Sequence, residues 1–239
     1  MNKQNILDAI VKLKEVSPER KFKQSFDLIL NLKSINLKKP EEKVEIFLTL
    51  PHSKGKKQKI CALIDNELNT QAKSIFDKVI LKEDFSKFTK KEMKKLAQEY
   101  DFFIAQANIM SQIATTFGKV LGPKQKMPNP KAGCVVPPTA ALKPLYDKLQ
   151  NLVPLVMKNE AVIRATVGKE DMKDEEVAEN IHAVYTAVLH ALPKEKENMK
   201  SVLLKLSMGP IVEITEKGPK IKQEKEEKQL KTKVKSKKE

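Results

Sequence analysis

Residues 117–136 are Phe-Gly-Lys-Val-Leu-Gly-Pro-Lys-Gln-Lys-Met-Pro-Asn-Pro-Lys-Ala-Gly-Cys-Val-Val. Three of the chain's seven glycines fall in this window, together with three prolines. Proline removes a backbone donor, clashes with the preceding helical turn, and pushes the residue before it towards an extended conformation. The window therefore predicts a long, stiff, basic loop with a fixed path. Such loops usually serve function or architecture.

Short apolar strands and helices alternate around this loop. The sequence predicts strands at 79–81 and 102–105 and helices at 69–76, 89–100, 109–117 and 140–150. The helix at 89–100 begins with Thr89-x-x-Glu92, the pattern of a capping box. Alternation of this kind is typical of βαβ units in a parallel sheet. We therefore expect an inserted Rossmann-like α/β domain over residues 67–156.

On both sides of this predicted domain, the sequence shows amphipathic helices and strands with alternating apolar residues. The predicted helices are 4–15 and 174–192, and the predicted strands are 25–32, 43–50, 59–64, 161–167, 200–206 and 211–215. The first three strands follow one another with little helix between them, which favours antiparallel pairing. The sequence thus predicts a two-domain α/β (α+β) protein whose discontinuous N- and C-terminal α+β domain, with an antiparallel-type sheet, spans 1–66 and 157–221. Residues 222–239 have no apolar face and are expected to be a disordered basic tail.

The chain is strongly basic, with 239 residues, a net charge of +15 and a pI of about 9.6. Residues 216–239 contribute +5 of that charge, so +10 lies on the rest of the chain. Such an excess indicates a polyanionic partner, nucleic acid first and an anionic membrane second. No apolar run approaches the ~18 residues of a transmembrane helix, and the N-terminus lacks a signal-peptide core. We expect a cytoplasmic protein without a membrane partner.

The residue pattern predicts neither a metal nor a cofactor, and it favours binding over catalysis. Cys61 and Cys134 lie far apart in the sequence, which is typical of reduced thiols rather than of a disulfide framework. The three histidines do not have the spacing of metal ligands. Residues 118–124 differ from a phosphate loop, because three rather than four residues separate the glycines and Pro123 stands where lysine is needed. The rival hypothesis is an enzyme that uses the inserted domain on a phosphorylated substrate.

Several segments resemble the ribosomal protein L-one family. Residues 118–133, Gly-x-x-x-Gly-Pro-x-x-x-Met-Pro-Asn-Pro-Lys-Ala-Gly, are similar to the signature of that family. Residues 23–33 and 205–210 (Lys-Leu-Ser-Met-Gly-Pro) resemble two segments of its discontinuous domain, and 163–169 neighbours both in the family fold. Residues 171–181 and the Asn-Leu-Lys end of 23–33 resemble the archaeal branch.

The resemblance covers about residues 1–218 and implies that the main RNA site lies in the discontinuous domain. The implied RNA-binding residues are Ser25, Phe26, Asn31, Lys33, Arg164, Thr166, Gly168, Lys169, Lys205, Ser207, Met208, Gly209 and Pro210. A secondary contact is expected from the signature-loop lysines Lys119, Lys124, Lys126 and Lys131. A glycine at 209 would let the backbone approach a sugar-phosphate edge, and Ser207 would donate to a 2′-hydroxyl or phosphate. Phe26 is either a ribose-packing or a core residue, and each loop lysine either faces phosphate or is solvated.

The family resemblance also implies a function. It predicts a structural protein of the large ribosomal subunit that binds the stalk-base region of the ribosomal RNA, forms the mobile stalk and assists release of deacylated tRNA from the exit site. Many family members also repress translation of their own mRNA, so its leader is a third expected partner. A third hypothesis is a lysine-driven nucleic-acid-compacting protein, which predicts steep salt dependence and no discrimination between RNAs.

Overall fold

The computed structural model describes residues 2–37, 39 and 42–221, and the tail predicted at 222–239 lies outside the described residues. The chain forms two compact units. Among the described residues, unit 1 combines the chain up to Lys56 with the chain from Val153 to Ile221, and unit 2 is Lys57–Leu152. The helices and strands are, in chain order, α1 (Lys3–Val16), β1 (Ser25–Leu32), β2 (Glu45–Thr49), β3 (Ile60–Ile64), α2 (Asn69–Ile75), β4 (Lys78–Leu81), α3 (Lys90–Glu99), β5 (Phe102–Gln106), α4 (Met110–Leu121), β6 (Val135–Val136), α5 (Leu142–Gln150), β7 (Leu152–Val156), β8 (Val162–Lys169), α6 (Asp174–Ala191), β9 (Met199–Leu206), β10 (Ile211–Thr215) and β11 (Gly218–Ile221).

Unit 1 is built on an antiparallel sheet whose strand order, within the described residues, is β11-β10-β9-β1-β8. Every second residue of β1 from Phe26 onward is buried, because successive side chains of a strand point to opposite faces. Helices α1 and α6 pack against each other, and their apolar faces join these residues in one core. The other face of β1 carries the half-exposed side chains.

Unit 2 contains a parallel sheet with the order β4-β3-β5-β6 in the part of the chain that the structure describes. The connections β3–β4 and β4–β5 run in opposite directions along the sheet, so right-handed crossovers put α2 and α3 on opposite faces. Helix α3 packs with α4, and α2 packs with α5. The predicted capping box is confirmed: Thr89 accepts from the Glu92 N–H, and the Glu92 carboxylate accepts from the Thr89 N–H.

The antiparallel pairing predicted among the first three strands is wrong. In the described chain, β1 pairs with β8 and β9, and β2 pairs with β7. Residues 59–64 form a strand, β3, but it pairs in parallel with β4 and β5. All five residues of β3 are buried, which is typical of a strand covered on both faces by helices. Because β3 belongs to unit 2, the boundaries between the units fall at 56/57 and 152/153, whereas the sequence predicts 66/67 and 156/157.

The basic loop predicted over 117–136 is shorter than expected. Helix α4 continues through Gly118 to Leu121, since the first proline stands only at 123. The remainder contains a 3₁₀ turn at Pro130–Ala132, which is N-capped by Asn129 and ends at Gly133 with a φ of 75°. The sequence does not predict β7, because Pro154 lies within it and proline is uncommon inside strands. This strand pairs with β2 in a separate small sheet.

Candidate nucleic-acid interface

One end of the unit 1 sheet brings together polar side chains from three strands. Asp27 lies directly opposite Thr166 of β8 and Lys205 of β9. The Thr166 Oγ1 hydroxyl donates to Asp27 Oδ1 at 2.8 Å. Ser25 continues the row towards the turn between β9 and β10, residues 207–210. We call the surface formed by Ser25, Asp27, Thr166, Lys205 and the turn 207–210 the turn-end surface.

The turn 207–210 is fastened to the start of β1 by hydrogen bonds. The Ser207 backbone N–H donates to the Ser25 carbonyl oxygen at 3.1 Å, and the Ser25 N–H donates to Ser207 Oγ at 3.2 Å. Within the turn, the Gly209 N–H donates to the Leu206 carbonyl oxygen at 3.0 Å. The backbone of this turn is therefore fixed before any partner arrives.

Met208 stands out at the tip of this fixed turn. Its side chain is 60% exposed, the largest value among the exposed large apolar residues of the described chain. Its backbone N–H donates to Gln24 Oε1 at 3.1 Å. A flexible, polarizable thioether in this position can fill an irregular groove of a partner.

Gln24 lies in segment 23–33, which carries the family resemblance, but it is not among the implied RNA-binding residues. It is 1% exposed, and its backbone also joins the β8–α6 connection, since its N–H donates to Glu170 Oε2 and its carbonyl oxygen accepts from the Glu170 N–H. Gln24 thus links three segments that are distant in sequence. No signal in the sequence separates this buried glutamine from an exposed one, because it follows the exposed residues of 20–23.

Gly209 has a structural reason to lack a side chain. A Cβ at this position would lie 2.7 Å from Ser17 Oγ, at the end of α1, and 3.1 Å from Leu206 Cβ. The glycine therefore lets the turn pack on α1, in addition to the close approach of a sugar-phosphate edge that the sequence suggests. Gly168 is similar, because a Cβ there would lie 3.1 Å from Val177 and 3.2 Å from Met172.

Phe26 is a correction to the predicted contact set. Its side chain is 0% exposed and belongs to the unit 1 core, so it cannot stack on a ribose or base in this structure. Of the two roles that the sequence allows, the core role is the one that the structure supports. The reason is strand parity, since Phe26 points to the helix side of β1 while Ser25 and Asp27 point to the other.

The remaining predicted residues of unit 1 differ in accessibility. Lys33, Arg164, Thr166, Ser207 and Met208 are exposed, whereas Ser25, Asn31, Lys169, Lys205, Gly209 and Pro210 are half-buried. The Arg164 guanidinium contacts Glu160 at 3.4 Å in an exposed pair, which adds little stability and leaves the arginine available to a phosphate. Asn31 donates to Ser201 Oγ at 2.9 Å, farther along β1 from the turn.

An exposed ion pair borders the turn-end surface. Lys23 contacts Asp171 at 2.7 Å. The hydrogen bond between them raises the pKa of Lys23 and lowers the pKa of Asp171, so both groups are charged at neutral pH.

The signature-loop lysines lie in unit 2, and two of them bind backbone oxygens. The Lys126 ammonium donates to the Tyr100 carbonyl oxygen at 2.6 Å, and that of Lys124 donates to the Lys94 carbonyl oxygen at 3.4 Å. Tyr100 is the C-cap residue of α3, and a cation at that end of a helix stabilises the terminal carbonyl groups. Lys119, on α4, and Lys131, in the 3₁₀ turn, are exposed.

Neither metal chemistry nor thiol chemistry is indicated within residues 2–37, 39 and 42–221. No group of three or more His, Cys, Asp or Glu residues in this part could hold a metal ion. Burial raises the pKa of Cys61 to about 12 and that of Cys134 to about 11, so both thiols are protonated and unreactive at neutral pH. No described helix is both long and apolar enough to span a bilayer.

Comparison with known proteins identifies similar chains. The sequence model of the Ribosomal protein L1p/L10e family matches residues 13–210. The Large ribosomal subunit protein uL1 of Methanothermobacter thermautotrophicus is 42% identical over 214 residues, 88% of this chain and 99% of that protein. Its namesake from Thermococcus kodakarensis is 38% identical over 216 residues, 89% of this chain and 98% of that protein. The one from Methanobrevibacter smithii is 41% identical over 214 residues, with 88% and 99% covered.

Proposed function

The chain belongs to the ribosomal protein L1p/L10e family, and we propose that it binds ribosomal RNA in the large subunit through the turn-end surface. A ribosomal protein of an archaeal type works in the cytoplasm, the location that the sequence predicts. The relatives carry the name of a large-subunit protein, which favours a binding role over the enzyme hypothesis.

The single observation that carries this proposal is the exposed Met208 on a turn whose backbone is already fixed. A single exposed apolar side chain is ordinary on a protein surface, but Met208 stands on a fixed turn beside hydroxyl and charged groups, and together they form a surface that suits a partner. A fixed turn also loses little conformational freedom on binding. The shallow minor groove of an RNA helix, or an unpaired loop, offers ribose and base surface for such a side chain.

The neighbouring groups match the chemistry of RNA. The hydroxyl groups of Ser207 and Thr166 can exchange hydrogen bonds with 2′-hydroxyls, which distinguish RNA from DNA. Lys205 and Arg164 supply positive charge for phosphates, which fix the register without reading sequence. Lys33 follows the opposite end of β1 and is not part of the turn-end surface. The mixture of hydroxyl, apolar and charged groups favours shape recognition over purely electrostatic binding.

The finer roles remain part of the proposal and rest on the family resemblance. We propose the stalk-base region of the large-subunit ribosomal RNA as the principal site, assistance in releasing deacylated tRNA from the exit site as the role on the ribosome, and the protein's own mRNA leader as a second RNA ligand. One surface would serve the ribosomal RNA and the leader, so the two RNAs should exclude each other.

Selective binding is the test of the main proposal. The full chain would be titrated by filter binding against a stalk-base RNA fragment and an unrelated hairpin of equal length, at low and near-physiological salt. We expect the preference for the stalk-base fragment to survive the higher salt, because shape and 2′-hydroxyl contacts are screened less than phosphate pairing. Equal binding that collapses for both RNAs as salt rises would support the nucleic-acid-compacting alternative instead.

Competition tests the leader hypothesis separately. Labelled leader RNA bound to the chain would be challenged with the unlabelled stalk-base fragment. Displacement at a concentration near the affinity of the fragment is expected. Simultaneous binding of both RNAs would remove the idea of a shared site.

A further inference from the structure

A second charged surface lies on α3 of unit 2, and none of its residues is among those that the sequence predicts to bind RNA. Helix α3 carries four exposed lysines, Lys90, Lys91, Lys94 and Lys95, which we call the α3 lysine face. At 3.6 residues per turn these positions fall within an arc of about 140°. The apolar residues of the helix, Met93, Leu96 and Ala97, lie outside this arc and are buried. The lysines therefore form one continuous outward strip.

The helix's own acidic residues offset only part of the charge of this strip, since Glu92 interacts electrostatically with Lys95. Glu92 is held by Thr89 in the capping box, and Glu99 pairs with Lys59 at 3.4 Å. In the described part of the chain, no ion pair within 4.0 Å involves any of the four lysines. Like charges one turn apart on a helix repel each other, so this arrangement lowers helix stability slightly. A polyanion would relieve that repulsion.

The loop after α4 adds charge beside the strip. Lys124 and Lys126 direct their ammonium groups at the carbonyl oxygens of Lys94 and Tyr100. An ammonium has three N–H donors, so each bond to the backbone uses only part of its capacity. These two lysines thus reinforce the field of the α3 lysine face.

We propose that the α3 lysine face is a second RNA-binding surface, one that holds the sugar-phosphate backbone without reading the bases. Charge complementarity identifies the partner as a polyanion, and the choice of RNA rests on the proposed ribosomal function. An anionic membrane fits less well, because helices that lie in a membrane interface insert their apolar side. Here the apolar side of α3 is buried in the unit 2 core.

The test is a charge-neutral triple variant of the full chain, Lys91→Gln, Lys94→Gln and Lys95→Gln. Glutamine keeps a good helix propensity, so the helix should persist. The matched control removes three exposed lysines from the opposite layer of unit 2, on α2 and α5: Lys73→Gln, Lys143→Gln and Lys148→Gln. Both variants have the same net charge and the same tail. Circular dichroism would verify that each is folded.

Binding of both variants to the unrelated hairpin would be measured over a range of salt concentrations. We expect the α3 variant to bind about tenfold more weakly and the slope of log K against log salt to fall by about two. The control should change the slope by much less. The preference of the α3 variant for the stalk-base fragment should be retained, because that preference is assigned to the turn-end surface. If the wild-type chain shows no preference, the proposed function fails while the slope comparison still decides this proposal.

Two outcomes would overturn the inference. Equal slope changes in the two triple variants would mean that only bulk charge matters. If the α3 variant kept the wild-type slope of log K against log salt for RNA but lost binding to vesicles containing phosphatidylserine, the face would be a membrane-binding surface instead.

Discussion

The side-chain oxygen of Gln24 accepts a hydrogen bond from the backbone N–H of Met208 at 3.1 Å, across 184 positions of sequence. Gln24 is almost fully buried, whereas Met208 is the most exposed large apolar side chain of the described residues. The buried amide therefore positions the exposed thioether. An almost fully buried residue would in this way influence how the chain binds its RNA.

Replacing Gln24 by methionine, which has a similar volume, should weaken RNA binding through the turn. The substitution removes the acceptor for Met208, so the turn would lose its fixed orientation and the affinity for the stalk-base fragment should fall several-fold. The unfolding free energy should fall by about 0.5–1.5 kcal/mol, the usual contribution of a hydrogen bond. Filter binding and urea unfolding measure the two quantities.

Gln58→Met is the matched control for that prediction. Gln58 is also buried, and it donates to the carbonyl oxygens of Gln150 and Leu152 within unit 2. Its replacement should cost stability and leave RNA affinity unchanged. The effects of Gln24→Met and Met208→Ala should be less than additive, since the first acts through the second. Full additivity would contradict the positioning role.

Gly209→Ala should destabilise the protein and be rescued by a second substitution. The added Cβ would lie 2.7 Å from Ser17 Oγ and 3.1 Å from Leu206 Cβ. A clash of this kind costs about 1–3 kcal/mol. Ser17 Oγ is buried without a partner in the described structure, so Ser17→Ala should cost little alone and should recover part of the loss in the double variant. Thermal unfolding of the three variants tests this, and an unrescued double variant would contradict it.

Gly118→Ala should stabilise the protein, in contrast to Gly209→Ala. Gly118 lies inside α4, and a Cβ there would meet no atom within 4 Å. Alanine reduces the freedom of the unfolded chain and favours the helix by about 0.5–1 kcal/mol. Thermal unfolding should therefore show a higher midpoint. A lower midpoint would mean that the signature segment does not hold the helical conformation through Leu121.

The pH dependence of stability should include a contribution from Glu92. Hydrogen bonds from Thr89 lower the pKa of this carboxylate below its usual value of 4.5. Its stabilising contribution is therefore present above pH 4.5 and is lost as the pH falls through the lowered pKa of the folded state. Glu92→Gln keeps a capping side chain and does not titrate, so its unfolding free energy should decline less as the pH falls below 4.5. Parallel curves for the two proteins would contradict this assignment.

Much of the fold followed from local pattern. The alternation of Phe26, Leu28 and Leu30 fixed both the extent of β1 and the face that it buries. The pairing of β3 could not be predicted from local pattern, because a strand that is apolar on both faces shows no alternation. Its pairing depends on the helices that cover both faces of the sheet. The family resemblance indicates the turn 207–210. Strand alternation places Phe26 in the core and so excludes it from the RNA contacts, and the role of Gln24 is visible only in its tertiary hydrogen bond to Met208. A buried hydrogen bond between distant segments leaves no periodic trace in a sequence.

The most direct measurement is the affinity of a Met208→Ala variant for the stalk-base RNA fragment at near-physiological salt. Val11→Ala is the matched control, because Val11 is a 47% exposed apolar residue on α1 of the same unit. We predict at least a tenfold loss for Met208→Ala, about 1.4 kcal/mol, with an unchanged melting temperature and with no loss for Val11→Ala. Equal affinities for Met208→Ala and the wild-type chain would contradict the assignment of the turn-end surface as the RNA site.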